Sequence, residues 1–256
     1  MCLLLISYKS HPAYNLIIAA NRDEFYNRLA LSANYWEEDR NILAGKDLLA
    51  GGTWLGITKN GRFAAITNYR DMSQTDSFTT TRGNLTKEFL SSEISPELYG
   101  DKISGNAAEY NGYNLIFGDA RALFYFSNRS GNLIKLTPGI YGLSNHLLDT
   151  PWPKVRKSKT SFKKILNEEN ISEEELFKIL SDTSVPSDES LPDTGLSLDI
   201  ERAVSPIFVE TPLYGTRSST VIFWNKRDEI KFIEKSLDVP SKKWISSEYN
   251  FKIGGN

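Results

Sequence analysis

The chemistry this chain could perform is concentrated at its first residues. Cys2 is the only cysteine, and removal of Met1 would make it the terminal residue. A thiol with an ordinary pKa of about 8.5 and an α-amine of about 7.7 to 8.0 would then share one residue. The amine could take the thiol proton directly or through one water, so the nucleophile would carry its own base. No histidine is required, and the chain has only His11 and His146. The ordinary alternative is a single buried, inert intracellular cysteine.

Two short apolar runs must position that thiol. Residues 3–8 and 14–20, separated by a polar turn containing Pro12, read as a hairpin buried on both faces, because their apolar residues run continuously instead of alternating. In an antiparallel hairpin the start of one strand lies beside the end of the other. Cys2 therefore falls beside Asn21, Arg22, Asp23 and Glu24. Neighbours on one strand point to opposite faces, so Arg22 and Asp23 can both face the thiol only if the strand has ended or bulges there.

Three more polar residues stand at the ends of buried strands. A hairpin over 54–58 and 62–67, turned by Asn60-Gly61, delivers Asn68 at its exit. Asn145 closes a strand over 140–145. Arg217 precedes a buried strand over 220–224, where a guanidinium is costly unless paired or functional. Each has a plain structural alternative: residues 21–24 as a salt-bridged strand exit, the asparagines as partners for loop backbone, Arg217 as a paired structural arginine. Jointly, four independent strand ends each present a polar group of the kind acyl transfer needs. His146 reads as a hydrogen-bonded loop residue, His11 as exposed in the first turn, and the run from Gly51 to Trp54 as packing and turn geometry.

The remaining elements follow from pattern. Residues 35–47 read as polar and irregular. Leu85, Phe89 and Leu90 have helical spacing, and Ser95 with Pro96 reads as an N-cap with proline at the first helical position. A meander covers 113–117, 122–127 and 133–136. Asp149 or Thr150 is expected to cap a helix whose stripe is Trp152, Val155, Phe162, Ile165 and Leu166. Ser172 and Glu175 form a capping box, with Ile171 and Leu176 as its staple, for a helix over 173–180. Residues 181–199 read as a surface excursion, and 230–234 as the last clear strand. No repeat or linker divides the chain, which reads as one α+β domain over 1–256.

Composition excludes several classes. With 40% hydrophobic and 24% charged residues the 256-residue chain is an ordinary globular sequence. Thirty basic against 32 acidic side chains give a formal charge of −2, so nothing points to nucleic acid. One cysteine forms no internal disulfide, and with two histidines it makes no metal site. No apolar stretch reaches the length of a membrane span or a signal peptide. A cytoplasmic protein without a resident cofactor is the expectation; oligomeric state is not legible.

Several motifs together carry a resemblance. They are Asn21-Arg22-Asp23-Glu24, the run from Gly51 to Gly56, Thr67-Asn68-Tyr69-Arg70, Tyr110-Asn111-Gly112-Tyr113-Asn114, the run from Gly142 to Asn145 with its tail from Asp149 to Lys154, and the run from Tyr214 to Thr220. In this order, over nearly the full chain, the sequence resembles the NRDE family, whose eukaryotic members are called transport and Golgi organisation 2 proteins. Members have been linked to Golgi organisation, haem movement and lipid or acyl-coenzyme A metabolism. More distantly the layout is similar to N-terminal nucleophile hydrolases of the penicillin V acylase and bile salt hydrolase type. That resemblance implies a four-layer αββα sandwich, two antiparallel sheets between helical layers.

Carried over by position, the resemblance makes Cys2 the nucleophile and Asp23 the holder of its amine, with Glu24 the alternative because arginine and acid are adjacent here instead of separated by two residues. Arg22 would lower the thiol pKa. Asn68 would contribute to an oxyanion hole, Asn145 would orient the amine or bind the oxyanion, and Arg217 would close the site. The implied function is hydrolysis of an amide or ester of a small acyl, lipid-like substrate. The alternative is a carrier for lipid, acyl thioester or haem on the same scaffold, with Cys2 or His146 as the haem ligand.

Overall fold

The structure, a computed structural model, describes residues 3–72, 80–168 and 170–255. In chain order its strands are β1 (Leu3–Tyr8), β2 (Tyr14–Phe25), β3 (Ala30–Tyr35), β4 (Ile42–Asp47), β5 (Leu55–Thr58), β6 (Phe63–Asn68), β7 (Tyr113–Gly118), β8 (Leu123–Ser127), β9 (Leu133–Lys135), β10 (Gly139–Leu143), β11 (Tyr214–Asn225), β12 (Glu229–Asp238) and β13 (Lys243–Lys252). The helices are α1 (Gly83–Ser91), α2 (Pro96–Gly105), α3 (Pro153–Ile165), α4 (Glu173–Leu180) and α5 (Leu198–Val204).

Two antiparallel sheets result. One runs β10-β1-β2-β11-β12-β13, the other β3-β4-β5-β6-β7-β8-β9. The continuous apolar runs explain the stacking. Along the first hairpin Leu4, Ile6, Ile18 and Ala20 face the second sheet, where they meet Leu43, Ile57, Phe63 and Ile116. The alternate residues Leu3, Leu5, Ile17 and Ala19 face α3 and α4, against Val155, Phe162, Leu176 and Leu180. The outer face of the second sheet packs Phe117, Ala64 and Phe126 under Leu85 and Phe89 of α1 and Tyr99 and Ile103 of α2. The fold is α+β, with four layers in the order helix, sheet, sheet, helix, as the resemblance implied.

Several boundaries differ from expectation. Residues 35–47 contain β4, whose Ile42, Leu43 and Ala44 are buried. Its signal was masked by Gly45, where a Cβ would lie 2.3 Å from the Trp54 ring. β2 does not stop at Ala20 but continues to Phe25, because β11 pairs with it as far as Tyr214 opposite Phe25. β13 adds a strand after the last one expected; its side chains are largely exposed, so it carries no apolar pattern. The excursion over 181–199 leads into α5, and α3 starts at Pro153 with Trp152, not Asp149 or Thr150, at its N-cap. Ser172 accepts from the Glu174 amide instead of closing a box with Glu175. His11 is buried, not exposed: its Nδ1 accepts from the Ala13 amide and its ring lies against Tyr14.

Candidate active site

The site grows from the far end of the β1–β2 hairpin, where Leu3 pairs with Asn21. Because β2 stays extended here, its residues alternate in direction. Asn21 turns toward the helical layer: its amide donates to the carbonyls of Leu180 (2.8 Å) and Ile207 (2.9 Å), and its oxygen accepts from Ser219 (2.7 Å). Asp23 shares that face and accepts from the Thr216 hydroxyl at 2.7 Å, while Thr216 Oγ1 in turn accepts from the Val209 amide. Arg22 and Glu24 turn the other way. β2 neither ends nor bulges here; the irregularity lies on β11, where Arg217 is the extra residue between Thr216, opposite Asp23, and Ser218, opposite Arg22.

Arg22, Glu24 and Asn68 border one cavity of about 100 Å³, lined also by Arg28, Asp47 and Arg82. The Arg22 guanidinium is only 4% exposed and lies 4.1 Å over the Trp54 ring, a stacking contribution of about 1 to 2 kcal/mol. The Glu24 and Asp47 carboxylates each stand 3.8 Å from its Nη2. Burial lowers the proton affinity of Arg22, partly offset by those two acids and reinforced by Arg217 and Arg28. Asp47 is already engaged: Oδ2 accepts from Arg28 at 2.6 Å, and Oδ1 accepts from the amides of Leu49 and Ala50.

Of the six residues singled out by sequence, Cys2 lies outside the described residues. Arg22 and Asn68 meet at the cavity. Asn145 is buried directly behind Asn68, donating to the Asn68 carbonyl at 3.1 Å while its own carbonyl accepts from the Arg70 amide at 2.7 Å. Asp23 sits on the opposite face of β2 from Arg22. Arg217 does not border the cavity; its Nη1 donates to the carbonyls of Phe25, Tyr26 and Arg28, holding the turn that carries Arg28. Its charge still acts on Arg22, and burial lowers its own proton affinity.

Residues missed by sequence reading complete the walls. Glu24 was weighed as an acid and Trp54 read as packing, but Arg28, Asp47 and Arg82 carried no pattern of their own, because their meeting depends on separate segments folding together over the sheet end. Asn114, within the Tyr110–Asn114 motif, donates to the His146 carbonyl (3.0 Å) and to Thr67 (3.1 Å), fixing the segment after β10 against β6. His146 is hydrogen-bonded as expected, through Nε2 to the Tyr69 hydroxyl (2.7 Å) and Nδ1 to Thr150 (2.9 Å).

Comparison with known proteins places this sandwich. An N-acylethanolamine-hydrolyzing acid amidase ortholog from Caenorhabditis elegans superimposes with a TM-score of 0.52 at 11% identity, covering 86% of this chain and 92% of that one. The C2A mutant of conjugated bile acid hydrolase from Clostridium perfringens gives 0.51 at 9% identity, over 100% and 99% of the two chains. The fold is thus that of the N-terminal nucleophile hydrolases. Residues 1–239 match the family model of transport and Golgi organisation 2. A transport and Golgi organization 2 homolog from Mus musculus is 36% identical over 99% of both chains. The chain belongs to the transport and Golgi organisation 2 family. Among the described residues no helix is long and apolar enough to cross a membrane.

Proposed function

We propose that this protein is an N-terminal-cysteine hydrolase of amides or esters with a small acyl group. The observation that carries the reading is the cavity where Arg22, Glu24 and Asn68 meet at the open end of the β1–β2 hairpin. Leu3, which follows Cys2 in the sequence, is paired with Asn21. The scaffold shared with the amidase and the bile acid hydrolase supports the same reading.

After loss of Met1, the Cys2 amine takes the thiol proton and the sulfur attacks the substrate carbonyl. Arg22, whose nearest described carboxylate oxygens stand at 3.8 Å, favours the thiolate. The carbonyl electron pair moves onto oxygen, where the Asn68 amide and a backbone N–H hold it. Asn145 acts as a positioning residue through its bond to the Asn68 carbonyl. Collapse breaks the bond to the leaving amine or alcohol, which takes the proton from the ammonium. Water then attacks the thioester with the amine as base, releasing the acid and restoring the thiol. Asp23, with Glu24 on the cavity side as the alternative, holds the ammonium, and Arg217 supports the site through the turn it clamps.

Natively produced protein should lack methionine in intact-mass analysis, and a short-chain p-nitrophenyl ester should leave one acyl group on Cys2. Cys2→Ala should keep the far-ultraviolet spectrum and lose both acylation and turnover. Turnover by that variant, or by protein that retains Met1, would defeat the proposal. A protein that binds the ester without cleaving it would be a carrier.

A further inference from the structure

Among the described residues, the cavity wall holds more positive charge than it compensates. Three guanidinium groups, of Arg22, Arg28 and Arg82, face two carboxylates, of Glu24 and Asp47. Both acids have other partners: Asp47 holds Arg28 and two loop amides, and Glu24 accepts from the Phe25 amide at 3.0 Å. Arg22, nine-tenths buried, has its nearest carboxylate oxygens at 3.8 Å, beyond hydrogen-bonding distance. Arg82 donates Nη1 to the Gly112 carbonyl at 3.0 Å, and burial lowers its proton affinity. A fourth cation, Arg217, adds its charge from behind.

A second feature points the same way. Arg82 and Gly83 bring the amino end of α1 to the cavity wall. That nine-residue helix has no side-chain cap and no acidic residue in its first turn, although a helix amino end favours negative charge. The approach is close: a Cβ on Gly52 would fall 2.5 Å from the Gly83 backbone.

We infer that this cavity is an oxyanion-binding subsite and that the acyl group the enzyme accepts ends in a carboxylate. A space of about 100 Å³ admits a headgroup the size of a few waters, and a planar carboxylate matches the two-pronged donor geometry of a guanidinium. The substrate assignment rests on the hydrolase reading above, whereas the anion subsite stands without it.

The test uses the full chain at low ionic strength, with glutarate, inorganic phosphate and neutral glutaramide as probes. Glutarate should raise Tm and bind in calorimetry, and glutaramide should do neither. Arg82→Gln should weaken glutarate about tenfold or more, the loss of one charge-assisted hydrogen bond, and Arg28→Gln serves if Arg82→Gln does not fold. Cys2→Ala should bind glutarate like the parent protein, so this result stands even if the hydrolase reading fails. In turnover, the p-nitrophenyl half-ester of glutarate should exceed p-nitrophenyl butyrate in kcat/KM by about tenfold or more, a preference that Arg82→Gln erases. Equal binding of glutaramide, or unchanged glutarate affinity in both arginine variants, overturns the subsite. Tighter binding of phosphate than glutarate, or equal turnover of the two esters, overturns the carboxylate assignment.

Discussion

Glu234 is a charged-type side chain buried in the sandwich. It points from β12 into the space between the sheets, fully buried, where Oε1 accepts from the Ala33 amide at 2.6 Å and Oε2 from the Thr220 hydroxyl. Burial pushes its carboxyl up to about 7, with the two hydrogen bonds and Arg22 pulling the other way. A carboxyl raised in the folded state binds more protons there than in the unfolded chain between about 4.3, the free glutamate value, and 7. Its stabilising contribution is therefore full below that window and is lost as pH rises through it. Glu234→Gln keeps one acceptor and removes the charge, so the variant should be the more stable one at pH 8, by about 4 kcal/mol at most. Urea unfolding of both proteins at pH 5 and pH 8 checks the difference; parallel pH profiles would refute it. No sequence pattern announces Glu234, since a lone acid in an apolar strand reads as an outward-facing residue. The polar run over residues 21–24, by contrast, was legible as a cluster next to the first strand, though not its division between the face toward the helical layer, Asn21 and Asp23, and the cavity face, Arg22 and Glu24. That division follows from the strand continuing to Phe25, which β11 decides.

At the scale of elements, the walls of the cavity depend on two close approaches. Gly45 on β4 leaves room for the Trp54 ring, on which Arg22 stacks, and Gly52 lets the loop after β4 touch the start of α1. Gly45→Ala should displace the indole, costing about 1 to 3 kcal/mol of stability by overpacking and also weakening glutarate binding through loss of the Arg22 platform. Chemical denaturation and calorimetry on the same variant read the two effects; a stable variant with unchanged binding would show that the platform is dispensable. The two hairpins, the meander and α4 were readable because each pairs an apolar pattern with a local turn or cap, such as Asn60-Gly61 or Ser172. β3, β4 and β13 were not. β3 and β13 are edge strands with exposed or mixed side chains, and they owe their pairing to a neighbour instead of to their own composition.

For the whole molecule, stability rests on three apolar layers that the first hairpin helps to join: one between the sheets and one beneath each helical pair. Phe162 of α3 is fully buried against the outer face of the first sheet. Phe162→Ala should cost about 3 to 5 kcal/mol, seen as a lower urea midpoint, with the glutarate affinity of the folded fraction unchanged because the cavity lies on the other face of β2. A comparable loss of binding would mean that the helical layer and the cavity are coupled. What this sequence determined by itself was the alternation of buried strands and amphipathic helices, the family, and the presence of polar residues beside separate apolar runs, since local periodicity and turn chemistry act over a few residues. Which of those groups share a cavity was decided by tertiary structure alone. The β2–β11 register, the bulge at Arg217 and the segments carrying Arg28, Asp47 and Arg82 join residues far apart in the chain, and only packing free energy selects such contacts.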